Sequence, residues 1–172
     1  MNILRSLMAL ILLAGFTGAA RAQTQVPQNC DVTTASDPDR QVLTCALGIV
    51  IELEAAAQMG FSDLSSGSAP GVIDLDVGAA LIEVEPGTAL PQIRTPHAIA
   101  AVRGTVYIVD VTPEKTSVFV VHGEVSVTQH DTSDDPVLLT AGDGVDVGPG
   151  LQLEVRRWGD ERAKALLARF AR

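Results

Sequence analysis

Three histidines, two cysteines and a few clustered carboxylates are the residues of this chain whose types could do chemistry. His97, His122 and His130 form no His-x-x-x-His metal pair, and none stands near a Gly-x-Ser-x-Gly nucleophile elbow. Each reads as a surface or strand-end residue. Two acidic segments invite a calcium reading. Asp131 to Asp135 (DTSDD) lacks the alternating Asp and the central Gly of an EF-hand loop. Gly142 to Val147 (GDGVDV) has the form of one calcium-binding nonapeptide repeat, but such sites need tandem copies and it occurs once. A turn that carries Asp143 into a strand is the better account. Glu83 and Glu85 alternate with apolar residues and read as a solvated strand face. With aromatic residues at 3%, the platforms of a sugar-hydrolysing cleft are missing. No catalytic residue, metal or cofactor is expected.

One arginine needs a reason. In TPHAIAAVRGT, residues 95–105, Arg103 follows a run of small apolar residues and directly precedes Gly104. Its guanidinium must reach water or find acceptors. It could anchor an anionic ligand. It could instead fix the turn by pairing with a carboxylate or with strand-end carbonyls, a role that suits a planar fork of donors. The second reading is favoured, and it predicts that Arg103→Ala harms folding more than binding.

The elements around these residues begin with a leader. Arg5, the apolar run Leu7 to Ala14 and the small-x-small site Ala20-Arg21-Ala22 have the layout of a secretory signal peptide over 1–22. A retained anchor is the alternative, although the run is short against the roughly 20 residues that span a bilayer. No later segment is long and apolar enough to cross, so the mature chain is expected to have no transmembrane span. It would then meet an oxidising compartment, where Cys30 and Cys45 are expected to form a disulfide. Without Arg5 and Arg21, ten basic residues face 21 acidic ones, a net of −11. That balance argues against nucleic acid, which needs a basic face.

Residues 23–45 are polar and rich in Thr, Asp, Gln and Pro, and read as an irregular arm pinned by the disulfide. LGIVIELE alternates with period two, pointing Glu52 and Glu54 away from its apolar face. The loop 62–71 is punctuated by Ser, Gly and Pro. From Val72 to Val155, short alternating runs are separated by Gly, Pro, Asp or Thr at intervals of about ten residues, the mark of an all-β domain. We expect a compact sandwich or roll of about ten short strands over 46–157.

Residues 158–172 differ. Asp160 is a plausible N-cap, and Ala163, Leu166, Leu167 and Phe170 fall on one helical face. Residues 156–172 hold six basic and two acidic residues, a net of +4, while the preceding mature residues hold four and 19, a net of −15. This basic amphipathic helix could lie on lipid, dock on a partner through Trp158, Arg162, Leu166, Arg169 and Phe170, or fold back on its own acidic domain. Folding back is favoured, with Trp158 as the hinge-side anchor.

The ordered set Thr95-Pro96, Val102-Arg103-Gly104-Thr105 and Gly123-Glu124-Val125-Ser126-Val127, followed by LLTAGDGVDV, resembles the FecR-type domain over roughly 72–150. The resemblance implies a β-rich periplasmic signalling or binding domain. In the iron-uptake regulators of that family it relays a signal from an outer-membrane receptor to a cytoplasmic σ factor. No anti-σ segment is evident here, so the anti-σ role is not expected to carry over. The expectation is a non-catalytic module, periplasmic or secreted, that recognises a protein or an envelope polymer. An envelope-acting hydrolase and a purely structural exported protein are the alternatives.

Overall fold

The structure is a computed structural model that describes residues 26–27, 29–62, 71–87, 91–130, 132 and 135–172. The leader expected at 1–22, most of the loop at 62–71 and Asp131, Ser133 and Asp134 of DTSDD lie outside the described residues. Among the described residues, eleven strands and one helix follow in order: β1 (Cys30–Ala35), β2 (Arg40–Cys45), β3 (Ile49–Glu54), β4 (Gln58–Ser62), β5 (Val72–Val84), β6 (Gln92–Arg94), β7 (Ala98–Val111), β8 (Thr116–Gln129), β9 (Val137–Thr140), β10 (Asp143–Val147), β11 (Arg156–Arg157) and α1 (Asp160–Ala168). The fold is all-β with a C-terminal helix. No described helix is long and apolar enough to cross a membrane.

All strands belong to one sheet, ordered β1-β2-β3-β5-β6-β7-β8-β10-β11, with β4 on β5, β9 on β8 and β5 also paired with β7. One row of cross-strand neighbours, Leu43, Ile51, Ile82, Tyr107 and Val120, runs from β2 to β8 and is almost fully buried. Residues of β2 to β10 share a single apolar cluster on that side, so the sheet curls around its own core as a roll. Burial pushes the Tyr107 phenol well above its usual range.

Three expectations are corrected. The arm at 30–45 is an antiparallel hairpin, β1 on β2, and Cys30 and Cys45 are directly paired in it and joined by a disulfide. Its polar composition hides the strands because β1 has no buried residue to alternate with. The strands are not uniformly short: β5, β7 and β8 run for 13, 14 and 14 residues. Gly78, Gly104 and Gly123, where the sequence suggests breaks, have positive φ, and the chain bends there without leaving the ladder. LQLEV, 151–155, is not a strand but an irregular strap.

Candidate functional site

The outer face of the sheet carries a second cluster of Ala79, Leu81, Ile108 and Phe119. Across it run Glu52, Leu81, Ile108, Phe119 and Gly144 as cross-strand neighbours. A period-two strand must place such residues opposite the roll core, and here they need a cover of their own. The cover is α1. Its Leu166, and Phe170 in the turn that follows it, are buried against this cluster, with Ala163 and Leu167 beside them. Trp158 stacks on Phe119 at 5.2 Å between ring centroids, and Arg162 lies 3.4 Å over the indole's centroid. Gly144 makes room for this: a Cβ there would lie 2.2 Å from the Trp158 ring.

Charge rims the apolar contact. The Arg169 fork donates to Glu54 through Nε and Nη2, both at 2.6 Å, and to Asp110 at 2.8 and 3.1 Å. Arg172 donates to Glu52 at 2.6 Å, and Arg40 does so from the other side at 2.6 Å. Asp146 accepts from Arg162 and Ser117 at 2.6 Å each, with Lys115 at 3.1 Å. The Arg169 bond is the main reason that Glu54 titrates below its usual range, against an opposing push from burial. Burial pushes Asp146 up, but the donors Arg162, Ser117 and Lys115 outweigh it and hold the carboxyl down at about 2.

Trp158, Arg162, Leu166, Arg169 and Phe170, considered as partner contacts, are therefore engaged with the chain's own sheet, and that reading is corrected for the docked helix. The apolar row and its acidic rim lie on the same chain, so no partner is needed to bury the stripe. Asp160 is likewise not the N-cap. Gly159 occupies that position without a side-chain cap, and Asp160 and Glu161 sit in the first turn. Sequence reasoning found the helix's receptor by net charge but not by residue. Glu52 and Glu54, expected in water, are its receptors, and Glu52 is only 6% exposed.

The motif residues meet elsewhere. Thr95 accepts the Ala98 amide at 3.0 Å on its hydroxyl, which also lies 2.8 Å from the Thr116 hydroxyl, closing the turn into β7. Pro96 sits in that turn. Val102 is buried in the roll core. Gly104 (φ +57°) and Gly123 (φ +86°) face one another across β7 and β8, where the register shifts between Arg103 and Val106. A Cβ on Gly123 would lie 2.6 Å from the Gly104 carbonyl oxygen. The buried Thr105 hydroxyl donates to the Glu124 carbonyl at 2.8 Å and accepts the Glu124 amide at 3.2 Å, locking the irregularity. Arg103 stands on this locked bulge with its side chain exposed, and it makes no ion pair or side-chain hydrogen bond among the described residues. The expectation of a guanidinium fixing the turn is corrected: Thr105 does that work from inside.

Asp143 and His97 have local partners. Asp143 accepts from the Thr140 amide and hydroxyl at 3.0 and 2.7 Å, which makes GDGVDV a turn into a strand. His97 Nδ1 lies 3.2 Å from the Thr116 hydroxyl. A cleft of about 550 Å³ between the strap and the helix start is lined by Lys115, Asp146, Glu154, Arg156, Arg157 and Arg162, charges already paired with one another or with Asp143.

The family model of the FecR protein matches residues 31–126. Among curated proteins, none matches the chain. Two crystal structures of a putative anti-sigma factor from Parabacteroides distasonis ATCC 8503 are similar in fold. At 18% identity each, they give TM-scores of 0.56 and 0.60 over 80% of this chain. The chain spans 60% and 64% of the length of those two structures.

Proposed function

This chain belongs to the FecR protein family, and from that premise we propose that it is an exported, non-catalytic recognition module of a signalling system, acting in the periplasm on a protein or cell-envelope component. The leader-like N-terminus and the Cys30–Cys45 bond support export. Support for a non-catalytic role comes from the carboxylates under the helix. Glu54 and Asp146 are held ionised by arginine, whereas a general acid at neutral pH needs a raised pKa. In a system built on an anti-sigma factor, as the Parabacteroides protein is named, this module would stand on the sensing side.

One observation carries the recognition reading. The family motif builds a bulge from Gly104, Thr105 and Gly123, locked by the Thr105 hydroxyl, and beside the exposed Glu124 and His122 it presents Arg103 to solvent, without an ion pair among the described residues. An exposed arginine on a fixed backbone loses little freedom when it meets a carboxylate on a partner. The test is crosslinking in cells of the tagged protein against its Arg103→Ala variant. Melting within about 0.5 kcal/mol of the parent, as for an ordinary surface change, together with loss of a specific crosslinked neighbour, is the expected result. Unchanged crosslinks would remove Arg103 from the reading, and a protein with no specific neighbour would remove recognition altogether.

A further inference from the structure

Sheets expose backbone at their edges, and proteins blunt those edges with short strands, bulges, proline or charge. This sheet does so nearly everywhere. β4 carries a register shift between Gln58 and Met59, β9 has four residues and follows Pro136, and β11 is two arginines. β1 is the exception. Its register with β2 runs unbroken from the Cys30–Cys45 pair to the Ala35–Arg40 pair, it contains no Pro or Lys, and residues 31–34 are all exposed.

The ladder's phase identifies which groups are free. Ala46 N–H donates to the Asn29 carbonyl at 2.9 Å, so Asn29–Ala46 is a hydrogen-bonded pair. Alternation then makes Asp31, Thr33 and Ala35 bond to β2, while Cys30, Val32 and Thr34 turn their backbone groups outward. The Cys30 amide is met by the Pro27 carbonyl at 3.0 Å, which agrees with that phase. Among the described residues no strand pairs with the outward N–H and C=O of Val32 and Thr34. The Val32 side chain, opposite buried Leu43, ends the core row at the rim and is 46% exposed.

Charge says what fits there. Asp31, Asp37 and Asp39 are exposed and unpaired among the described residues, while the hairpin's one cation, Arg40, is held by Glu52 at 2.6 Å. A second copy laid antiparallel on β1 would bring three like charges to three. We propose that β1 is the docking edge of this recognition module, where an extended, β-branched segment of a partner protein with flanking lysines or arginines adds as a further strand. This deepens the recognition reading and rests on it.

The probe is a labelled peptide, Lys-Thr-Val-Thr-Val-Thr-Lys, added to the full mature protein. Binding should fall with salt and protect the Val32 and Thr34 amides from hydrogen exchange. N-methylation of the peptide at alternate residues should weaken binding about tenfold or more in one phase and little in the other, because only one phase points its amides at β1. Asp31→Lys with Asp39→Lys should weaken it and turn the preference to a Glu-flanked peptide, with Trp158 emission confirming an intact fold. Equal effects of both N-methyl phases, protection elsewhere, or no binding would overturn the proposal. So would a dimer in light scattering that the Asp31 and Asp39 changes strengthen, since the occupant would then be a second copy. If the peptide fails while Arg103-dependent crosslinks persist, this edge is wrong and the recognition reading stands. If the crosslinks fail while the peptide binds in one phase, the reverse holds.

Discussion

Phe170→Ala isolates what the helix contributes. The ring is 0% exposed, wedged with Leu166 against Leu81, Ile108 and Phe119. Removing a fully buried Phe side chain costs about 3–5 kcal/mol when the cavity stays open. Here the cavity need not stay open. α1 takes no part in the strand ladder, so it can leave the sheet and let water in, and the loss cannot exceed the free energy of docking. We expect a loss of about 3 kcal/mol, which lowers Tm by roughly 6–12 °C for a chain of this size. Deleting 160–172 should cost at least as much. Leu166→Ala added to Phe170→Ala should cost little more, because an undocked helix has no further contacts to lose. The chain's single tryptophan, Trp158, reports the contact directly. In the variant its emission should change before the far-UV signal of the strands. A Phe170→Ala protein that melts within about 0.5 kcal/mol of the parent with unmoved Trp158 emission would refute the docking argument. So would a double variant whose losses add and exceed those of the deletion.

Acid should loosen the same contact. The Asp146 carboxyl falls from an ordinary value of 3.8 to about 2 in the folded chain, and Glu54 is lowered too. A lowered folded pKa gives stability that is present above the unfolded value and lost as pH falls through the folded one. Trp158 emission should therefore hold above about pH 5 and shift between there and about pH 2; a shift confined to neutral pH would point to other groups. Gly123→Ala should cost about 1–3 kcal/mol, since Ala must adopt φ +86° with its Cβ against the Gly104 carbonyl, and urea melts will show it; an unchanged midpoint would mean that the bulge relaxes freely. Replacing both Cys30 and Cys45 by Ser should cost about 2–4 kcal/mol and raise hydrogen exchange in β1 and β2 first, leaving the β7–β8 pair protected; uniform loss of protection would show that the hairpin is not a separate unit.

How far the sequence could be read follows from what each signal measures. Period two reports burial on one face, so β3, β5, β7 and β8 are visible and β1, exposed along residues 31–34, is not. Glycine marks a backbone that needs positive φ, and at Gly78, Gly104 and Gly123 that need is a bend within a strand rather than its end. Locally the two look alike, because the partner strand that keeps the ladder intact is remote in sequence. The helix was legible twice, from its apolar stripe and from the +4 against −15 asymmetry. Its receptors were not, because Glu52 and Glu54 look solvated until Arg169 and Arg172 are placed, 115 and 120 residues away.

Arg103 shows how a charged motif residue can be free of structural duty. A charged residue inside a recurring run of small residues looks as though it must hold the run together. The structure divides the labour otherwise. Thr95 and Thr105 close the turns with hydroxyls, which satisfy backbone donors and acceptors at short range and can be buried once they do so. The glycines supply the conformations. A guanidinium in either place would have to lose its water for a few bonds that a hydroxyl makes at lower cost. What remains of the motif after the backbone is satisfied is Arg103 on the outer face, beside the exposed Glu124, while the free strand edge lies at β1 and is acidic. These two surfaces sit on strands separated by β2, β3 and β5. A partner that used both would need a carboxylate for Arg103 and a basic strand held apart by that span.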